Sequence, residues 1–383
     1  MTTHDDTKKP VDRRKFLKGS AVAAAGAAAA TVAFPQVSRA QTTTLKMQSS
    51  WPATDIWQGM ARDYADRVEK MSGGRLKVDL LAAGAVVPAF GIQDAVHKGV
   101  LDAGHHVAAY WYSKNRVASL FGTAPVFGAD AGQMVAWIHY GGGKELYREL
   151  IEDILKLNIV GFFAFPMPTQ PFGWFNKEVK GLADVKGLKY RTVGLATEIM
   201  QGFGMTVQQL PAGEIAPAME KGTIDAFEFN NPSSDRNFGA QNVAKFYYMG
   251  SYHQAMEFFE IIFNKTLFQR LPAELQAILE YGVEAANTAN YGKAMDGYSN
   301  DLLKLINEDK ITVNRTPGEI QDAQLAAWDQ VIEKYSSQDP FFKKVIDSQK
   351  AWAEKVGFYT FLNSADYLRA YKHYFPNKLP QGV

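Results

Sequence analysis

Apolar and polar residues alternate from Thr44 to Ser50, with Leu45, Met47 and Ser49 on one side. This period of two predicts a first strand. From Ile56 to Met71 the period changes. Ile56, Met60, Tyr64, Val68 and Met71 share one helical face, and Ser72-Gly73-Gly74 stops the helix. Leu76, Val78 and Leu80 alternate again as a second strand, and Phe90–Lys98 reads as a short helix closed by Gly99. Strand, helix, strand, helix in such quick succession predicts a βαβ unit with a parallel sheet.

The middle of the chain continues in this style. Ala131–Leu157 is helical in period, broken at Gly141-Gly142-Gly143, and Asn158–Phe165 is an apolar strand-like run. Pro166 and Pro168 follow, then Gln170–Phe175. Leu188–Val193, Met205–Leu210 and Ile224–Phe229 predict further short strands, and Phe258–Asn264 a strongly apolar one. From Pro272 the chain reads as almost entirely helical, through Leu275, Leu279 and Val283 and again from Glu319 to the end. No internal repeat and no Ser/Gly linker divides it. The fold class that follows is α/β, in two lobes that share crossing strands. Residues 41–165 with part of 256–310 are read as lobe I. Residues 166–255 with parts of the C-terminal helices are read as lobe II, and 311–383 as a C-terminal helical region. The crossings are placed near Asn158–Phe165 and Phe258–Asn264, and the long helix after Pro272 is expected to span both lobes.

Composition narrows the function. The 383 residues are 46% hydrophobic and 21% charged, an ordinary globular balance. The net charge of +1 is uneven. Residues 1–40 hold seven Lys/Arg and three Asp/Glu, which leaves 34 basic and 37 acidic side chains in the remainder. A slightly acidic body offers no electrostatic footprint for nucleic acid. The chain has no cysteine, so disulfides, thiolate metal sites and cysteine nucleophiles are excluded. At the N-terminus, Asp12-Arg13-Arg14-Lys15-Phe16-Leu17-Lys18 precedes an alanine-rich apolar run and Ser38-Arg39-Ala40. Basic region, apolar region and small-residue site predict an export signal over residues 1–40, with the mature chain starting near Gln41. The paired arginines resemble the twin-arginine signal, which implies a periplasmic location.

Catalytic signatures are missing: there is no Gly-x-Ser-x-Gly, His-Glu-x-x-His, P-loop or Gly-x-Gly-x-x-Gly. His105-His106 on a strand face opposite ways and make a poor metal pair. Other residues stand out. Arg191 ends a short predicted strand, where its fork suits a carboxylate, although a surface salt bridge is the plainer reading. Glu228 lies in the apolar run before Asn230-Asn231-Pro232 and is costly there unless paired or bound to a cation. Gln170 sits between Pro-rich turns and Phe172-Gly173-Trp174-Phe175. Oxygens from Gln170, Glu228 and a backbone carbonyl would suit Na⁺ or Ca²⁺. Trp51, Tyr110 and Trp111 stand beside turns, where they either line a pocket or belong to the core.

The run from Pro211-Ala212-Gly213-Glu214-Ile215 to Gly222-Thr223-Ile224-Asp225-Ala226-Phe227-Glu228 resembles the solute-binding subunits of tripartite ATP-independent periplasmic (TRAP) transporters. So do Met47-Gln48-Ser49-Ser50-Trp51-Pro52, Lys98-Gly99-Val100-Leu101-Asp102, Gly187-Leu188-Lys189-Tyr190-Arg191 and Phe263-Asn264-Lys265, in order and spacing. The resemblance is strongest to the branch that binds 2-oxo and related monocarboxylates with a cation. It implies a two-lobed periplasmic binding protein with the ligand cleft between its lobes. Arg191 would clamp the ligand carboxylate. Gln170, Glu228 and the backbone oxygen of Phe229, which is often Trp in relatives, would hold Na⁺ or Ca²⁺. Tyr110, Trp111 and Trp51 would wall the pocket. The partner would be the TRAP permease, with no chemistry done on the ligand. Trp328, Phe341, Phe342, Trp352 and Tyr359 exceed what one helix needs and point to a homodimer. The alternatives are an exported enzyme acting on 2-oxo or 2-hydroxy acids, a sensory binding module, and a receptor for a sugar acid or dicarboxylate.

Overall fold

The computed structural model describes residues 42–380, so the expected export signal over 1–40 lies outside the described residues. Among the described residues, eleven strands form two sheets. The first sheet runs β2 (Leu76–Leu81), β1 (Thr43–Ser49), β3 (Ala103–Val107), β10 (Glu257–Asn264), β4 (Ile159–Met167). The second runs β11 (Thr312–Arg315), β9 (Phe246–Met249), β5 (Gly173–Phe175), β8 (Ala226–Phe227), β6 (Lys189–Arg191), β7 (Thr206–Gln208). Each sheet is the centre of one lobe.

The principal helices follow in chain order. They are α1 (Ile56–Met71), α2 (Ile92–His97), α3 (Ala131–Tyr140), α4 (Gly143–Glu149), α5 (Ala196–Gly202), α6 (Ala212–Glu220) and α7 (Pro232–Asn237). The C-terminal part adds α8 (Ala273–Asn307), α9 (Gly318–Gln338), α10 (Pro340–Asn363) and α11 (Tyr367–Tyr374). Helix α1 has the bounds that its period of apolar residues predicts. Asp55 caps it by accepting from the Trp57 amide, and it buries Trp57, Met60, Ala61, Tyr64, Ala65 and Val68. β1 pairs in parallel with β2 and β3, the βαβ arrangement expected from the sequence.

β4 and β10 are antiparallel neighbours in the first sheet, and each continues directly into the second. β4 leads to β5 through residues 168–172, and β9 leads to β10 through 250–256. The 35-residue helix α8 is the third connection. It packs on β4 and α1 and, further along, on α7. The Asn287 side chain of α8 accepts from the Phe165 amide at 2.6 Å and donates to the Phe163 carbonyl at 3.2 Å, covering the open edge of β4.

Two expectations are corrected. The C-terminal region is not helical throughout: Thr312–Arg315 is a strand in parallel register with β9. Four residues are too few for a period to show in sequence. Of the C-terminal aromatics expected at an interface, Trp328 and Phe342 are buried within the chain itself. Tyr359 is exposed, and beside it are exposed aromatics not singled out in the sequence: Phe358 and Phe361 on α10, Tyr367, Tyr371 and Tyr374 on α11 and Phe375 after it.

Candidate functional site

Arg191 closes β6, the strand between β8 and β7. Its side chain is 1% exposed and points along the face of the sheet. Nε donates to the Leu210 carbonyl at 2.8 Å. Nη1 donates to the Glu228 carbonyl at 2.9 Å and to Glu228 Oε1 at 3.1 Å. The guanidinium lies 5.4 Å from the centre of the Phe229 ring. Nη2 has no partner among the described residues. Nη2 of this buried guanidinium therefore remains to donate to a carboxylate.

Glu228 follows β8 and is fully buried. Its backbone N–H donates to the Arg191 carbonyl at 3.2 Å, so the two residues are locked by main chain as well as by the ion pair. Burial pushes its carboxyl up to about 7, against the pull of Arg191. Oε2 has no hydrogen-bond partner among the described residues. Gly173 allows this packing. Its φ is +119°, and a Cβ there would stand 2.1 Å from the Phe227 carbonyl oxygen, so β5 reaches β8 only with glycine at this position.

Gln170 arrives from the β4–β5 connection, anchored by its amide to the Gln254 carbonyl at 3.0 Å. Its Nε2 donates to the Phe229 carbonyl at 2.8 Å and to Glu257 Oε2 at 3.1 Å, while Oε1 is buried without a partner among the described residues. Two oxygens therefore converge on the amide nitrogen. The donors gathered here are a carboxylate pair, an amide and a main-chain carbonyl. This hard-oxygen set fits Na⁺ or Ca²⁺. Among the described residues no cluster of three or more His, Cys, Asp and Glu side chains is placed to bind a metal ion.

Trp51 and Tyr110 form the opposite wall. Their rings are 6.0 Å apart, and Trp51 is 6.3 Å from the Phe229 ring. Trp51 is fully buried, yet its Nε1 has no acceptor among the described residues. Trp111 goes elsewhere. It lies in the tight turn Ala108–Trp111, where successive side chains diverge by about 120°. Its ring stacks on His106, to which Nε1 donates at 3.1 Å, on the far side of the first sheet. The structure thus brings Arg191, Gln170, Glu228, Phe229, Trp51 and Tyr110 together and leaves Trp111 out.

Glu257 was missed in the sequence. It opens β10 and is buried, and burial, with the like charge of Glu228, raises its carboxyl well above the ordinary range. The signal was there, because Glu257 and Glu260 are acids set among Phe258, Phe259, Ile261, Ile262 and Phe263. The support behind Phe229 was also missed. Asp235 accepts from Trp174 Nε1 at 2.8 Å, Tyr247 OH at 2.9 Å and the Asn230 amide at 3.1 Å, fixing the turn after Glu228-Phe229. Burial pushes the Asp235 carboxyl up to about 7. From that turn Asn230 Oδ1 accepts from Trp57 Nε1 at 2.7 Å, and Ser234 Oγ donates to Asp55 at 2.9 Å, joining the second lobe to the start of α1.

Comparison with known proteins gives this geometry its setting. The family model for bacterial extracellular solute-binding proteins, family 7 (DctP), matches residues 47–339. The chain is similar to the monocarboxylate 2-oxoacid-binding periplasmic protein of Nostoc sp. (strain PCC 7120), with 32% identity over 93% of this chain and 97% of that protein. It superposes on a TRAP transporter solute-binding protein from Bordetella bronchiseptica RB50 with a TM-score of 0.81 and 30% identity, covering 87% of this chain and 98% of that one. That protein is a mixed-occupancy dimer with copurified calcium and picolinate in one active site. A TRAP periplasmic solute-binding protein from Pseudoalteromonas atlantica T6c, with bound sodium and pyruvate, gives a TM-score of 0.80 at 29% identity. It covers 86% of this chain and 99% of its own.

Proposed function

Because the chain belongs to the family 7 bacterial extracellular solute-binding proteins, the TRAP transporter receptors, we propose that it captures a 2-oxo or 2-hydroxy monocarboxylate together with Na⁺ or Ca²⁺. The observation that carries this reading is that four residues in contact with Glu228-Phe229 or belonging to it each keep a buried polar atom without a partner among the described residues: Arg191 Nη2, Glu228 Oε2, Gln170 Oε1 and Trp51 Nε1. Buried polar atoms are ordinarily satisfied, so four on neighbouring residues call for a polar occupant. Arg191 takes the ligand carboxylate. Gln170, Glu228 and the Phe229 carbonyl hold the cation, with Glu257 behind them. The C2 oxygen of the ligand supplies a further bond to the cation. Trp51, Tyr110 and Phe229 exclude water and accept a short apolar tail.

Ligand contacts reach both lobes, so binding favours the closed form, which is delivered to the permease in the membrane. Residues 1–40 direct export to the periplasm. No step changes the ligand, and pyruvate incubated with the protein is expected back unaltered. The second copy of a homodimer covers the aromatic surface of α10 and α11, where Phe358, Phe361 and Tyr367 are each more than 70% exposed.

A thermal-shift panel on protein unfolded and refolded to strip ligand tests the reading. Pyruvate, longer 2-oxo acids, lactate, dicarboxylates and sugar acids are paired with Na⁺, Ca²⁺ or chelator. A ligand at 100 times its Kd adds about 2.7 kcal/mol of stability, which is easily seen. Monocarboxylates are expected to shift the transition only with a cation present. A response confined to dicarboxylates or sugar acids would replace the ligand class.

A further inference from the structure

Glu198 lies on α5, seven residues beyond Arg191, and touches none of the groups at the site. Its carboxylate, only 13% exposed, gathers four donors from two directions. Tyr112 OH donates to Oε1 at 2.6 Å and Arg116 Nε approaches it at 3.4 Å, both from the first lobe. Tyr335 OH also donates to Oε1, and Lys334 Nζ donates to Oε2 at 3.0 Å, both from α9. The Arg116 guanidinium stands 5.4 Å from the Tyr112 ring centre and 4.9 Å from that of Tyr335, so the first lobe and α9 meet around this one carboxylate. Partial burial works against the charged form, yet the donors hold the Glu198 carboxyl below its ordinary range. Between Arg191 and Glu198 the lobes are pressed together. A Cβ on Gly194, whose φ is +63°, would stand 2.9 Å from Ser119 Oγ and 3.1 Å from Ala109 Cβ of the first lobe.

We propose that Glu198 is an interlobe latch that holds the closed form and sets how long the ligand stays, without touching it. The proposal rests on the reading of the chain as a hinge-closing receptor. The division of donors suits a contact that must release. Helix α9 packs on α5, with Ala327 against Gly202 and with Leu195, Ile199, Ala327 and Val331 in one apolar cluster. The same cluster takes in Leu120, Phe121 and Trp137 of the first lobe, and α9 also packs on α10, so the latch requires that the α5 contact hold α9 as the hinge opens and keep Lys334 and Tyr335 with Glu198. Only Tyr112 and Arg116 are left behind. The carboxylate keeps two donors when the lobes part, so opening does not strand a buried charge. Closure regains a charge-assisted bond from Tyr112 and the Arg116 contact, which weights the closed state for every ligand alike.

The test compares Tyr112→Phe with Tyr335→Phe, two changes that each remove one hydroxyl from the same carboxylate. Dissociation of pyruvate and of lactate in the presence of Ca²⁺ is followed by stopped-flow tryptophan fluorescence. Lobe closure is read from a spin-label pair at Glu69→Cys and Glu220→Cys, exposed positions in a chain with no other cysteine. Tyr112→Phe is expected to speed dissociation about tenfold, by the same factor for both acids, with association unchanged. Tyr335→Phe is expected to lower the melting temperature and leave dissociation within about twofold. Equal effects of the two variants on dissociation, no effect of Tyr112→Phe, or a changed ranking of the acids would each overturn the latch. If the wild-type chain binds neither acid, the ligand reading fails and the label distances still decide the latch. A longer ligand-free distance in Tyr112→Phe supports it, and an unchanged distance overturns it.

Discussion

Arg191 and Glu228 form a buried ion pair in which each partner keeps one atom in reserve, Nη2 on one side and Oε2 on the other. Removing Arg191 therefore does two things. Arg191→Ala is expected to weaken monocarboxylate binding more than about 100-fold. It also destabilises the fold by about 3–5 kcal/mol, because Glu228 is left buried and unpaired. Urea denaturation of Arg191→Ala/Glu228→Gln separates the effects, since the double variant is expected to recover stability but not binding. The pH response has a definite sign. The Glu228 carboxyl is raised from 4.5 to about 7, so in the cation-free protein its stabilising neutral form is complete below pH 4.5 and is lost as pH rises through 7. Cation and proton compete for the same oxygens, so calcium affinity is expected to climb from pH 4.5 to about 7 and level off above, measured by calorimetry at fixed ionic strength. Glu228 stood out in the sequence as an acid in an apolar run, whereas the roles of Arg191 and Gln170 came from the family resemblance. Trp111 misled because a tight turn, invisible to periodicity, decides which of two neighbouring aromatics faces the site.

At the scale of the element, long periods were readable, and the short strands β6, β7 and β8 fall inside the runs read as strands, whereas β3, β9 and β11 were not read. Sixteen residues of α1 and 35 of α8 give the helical period room to show. β9 and β11 have four residues each, too few for an alternation to show, and what defines them is pairing with each other and, for β9, with β5. Trp57–Asn230, a hydrogen bond across 173 positions, has no local signature at all. Gly173 shows how a short strand is fixed. Gly173→Ala would force a side chain into the Phe227 carbonyl and a strained φ on alanine, and is expected to cost about 1–3 kcal/mol for the strain alone. A lowered urea midpoint with weakened calcium binding is the expected outcome, because β5 and β8 set the distance from Gln170 to Glu228.

At the scale of the molecule, two lobes meet around a cluster of unsatisfied polar atoms, and a terminal pair of helices carries an aromatic surface into solvent. The helix surface is separable from the site. A chain ending at Asn363 lacks α11 and is expected to lose dimerisation in light scattering while keeping ligand affinity within about twofold. The central claim is that anion and cation bind as one unit between Arg191 and Glu228. Calorimetric titration of pyruvate into refolded, ligand-free protein tests it, once in calcium chloride and once in excess chelator with sodium and potassium absent. One saturable site per chain in calcium and no heat in chelator is the expected result. Equal affinity in both solutions would contradict it and leave Arg191 as a clamp that needs no cation.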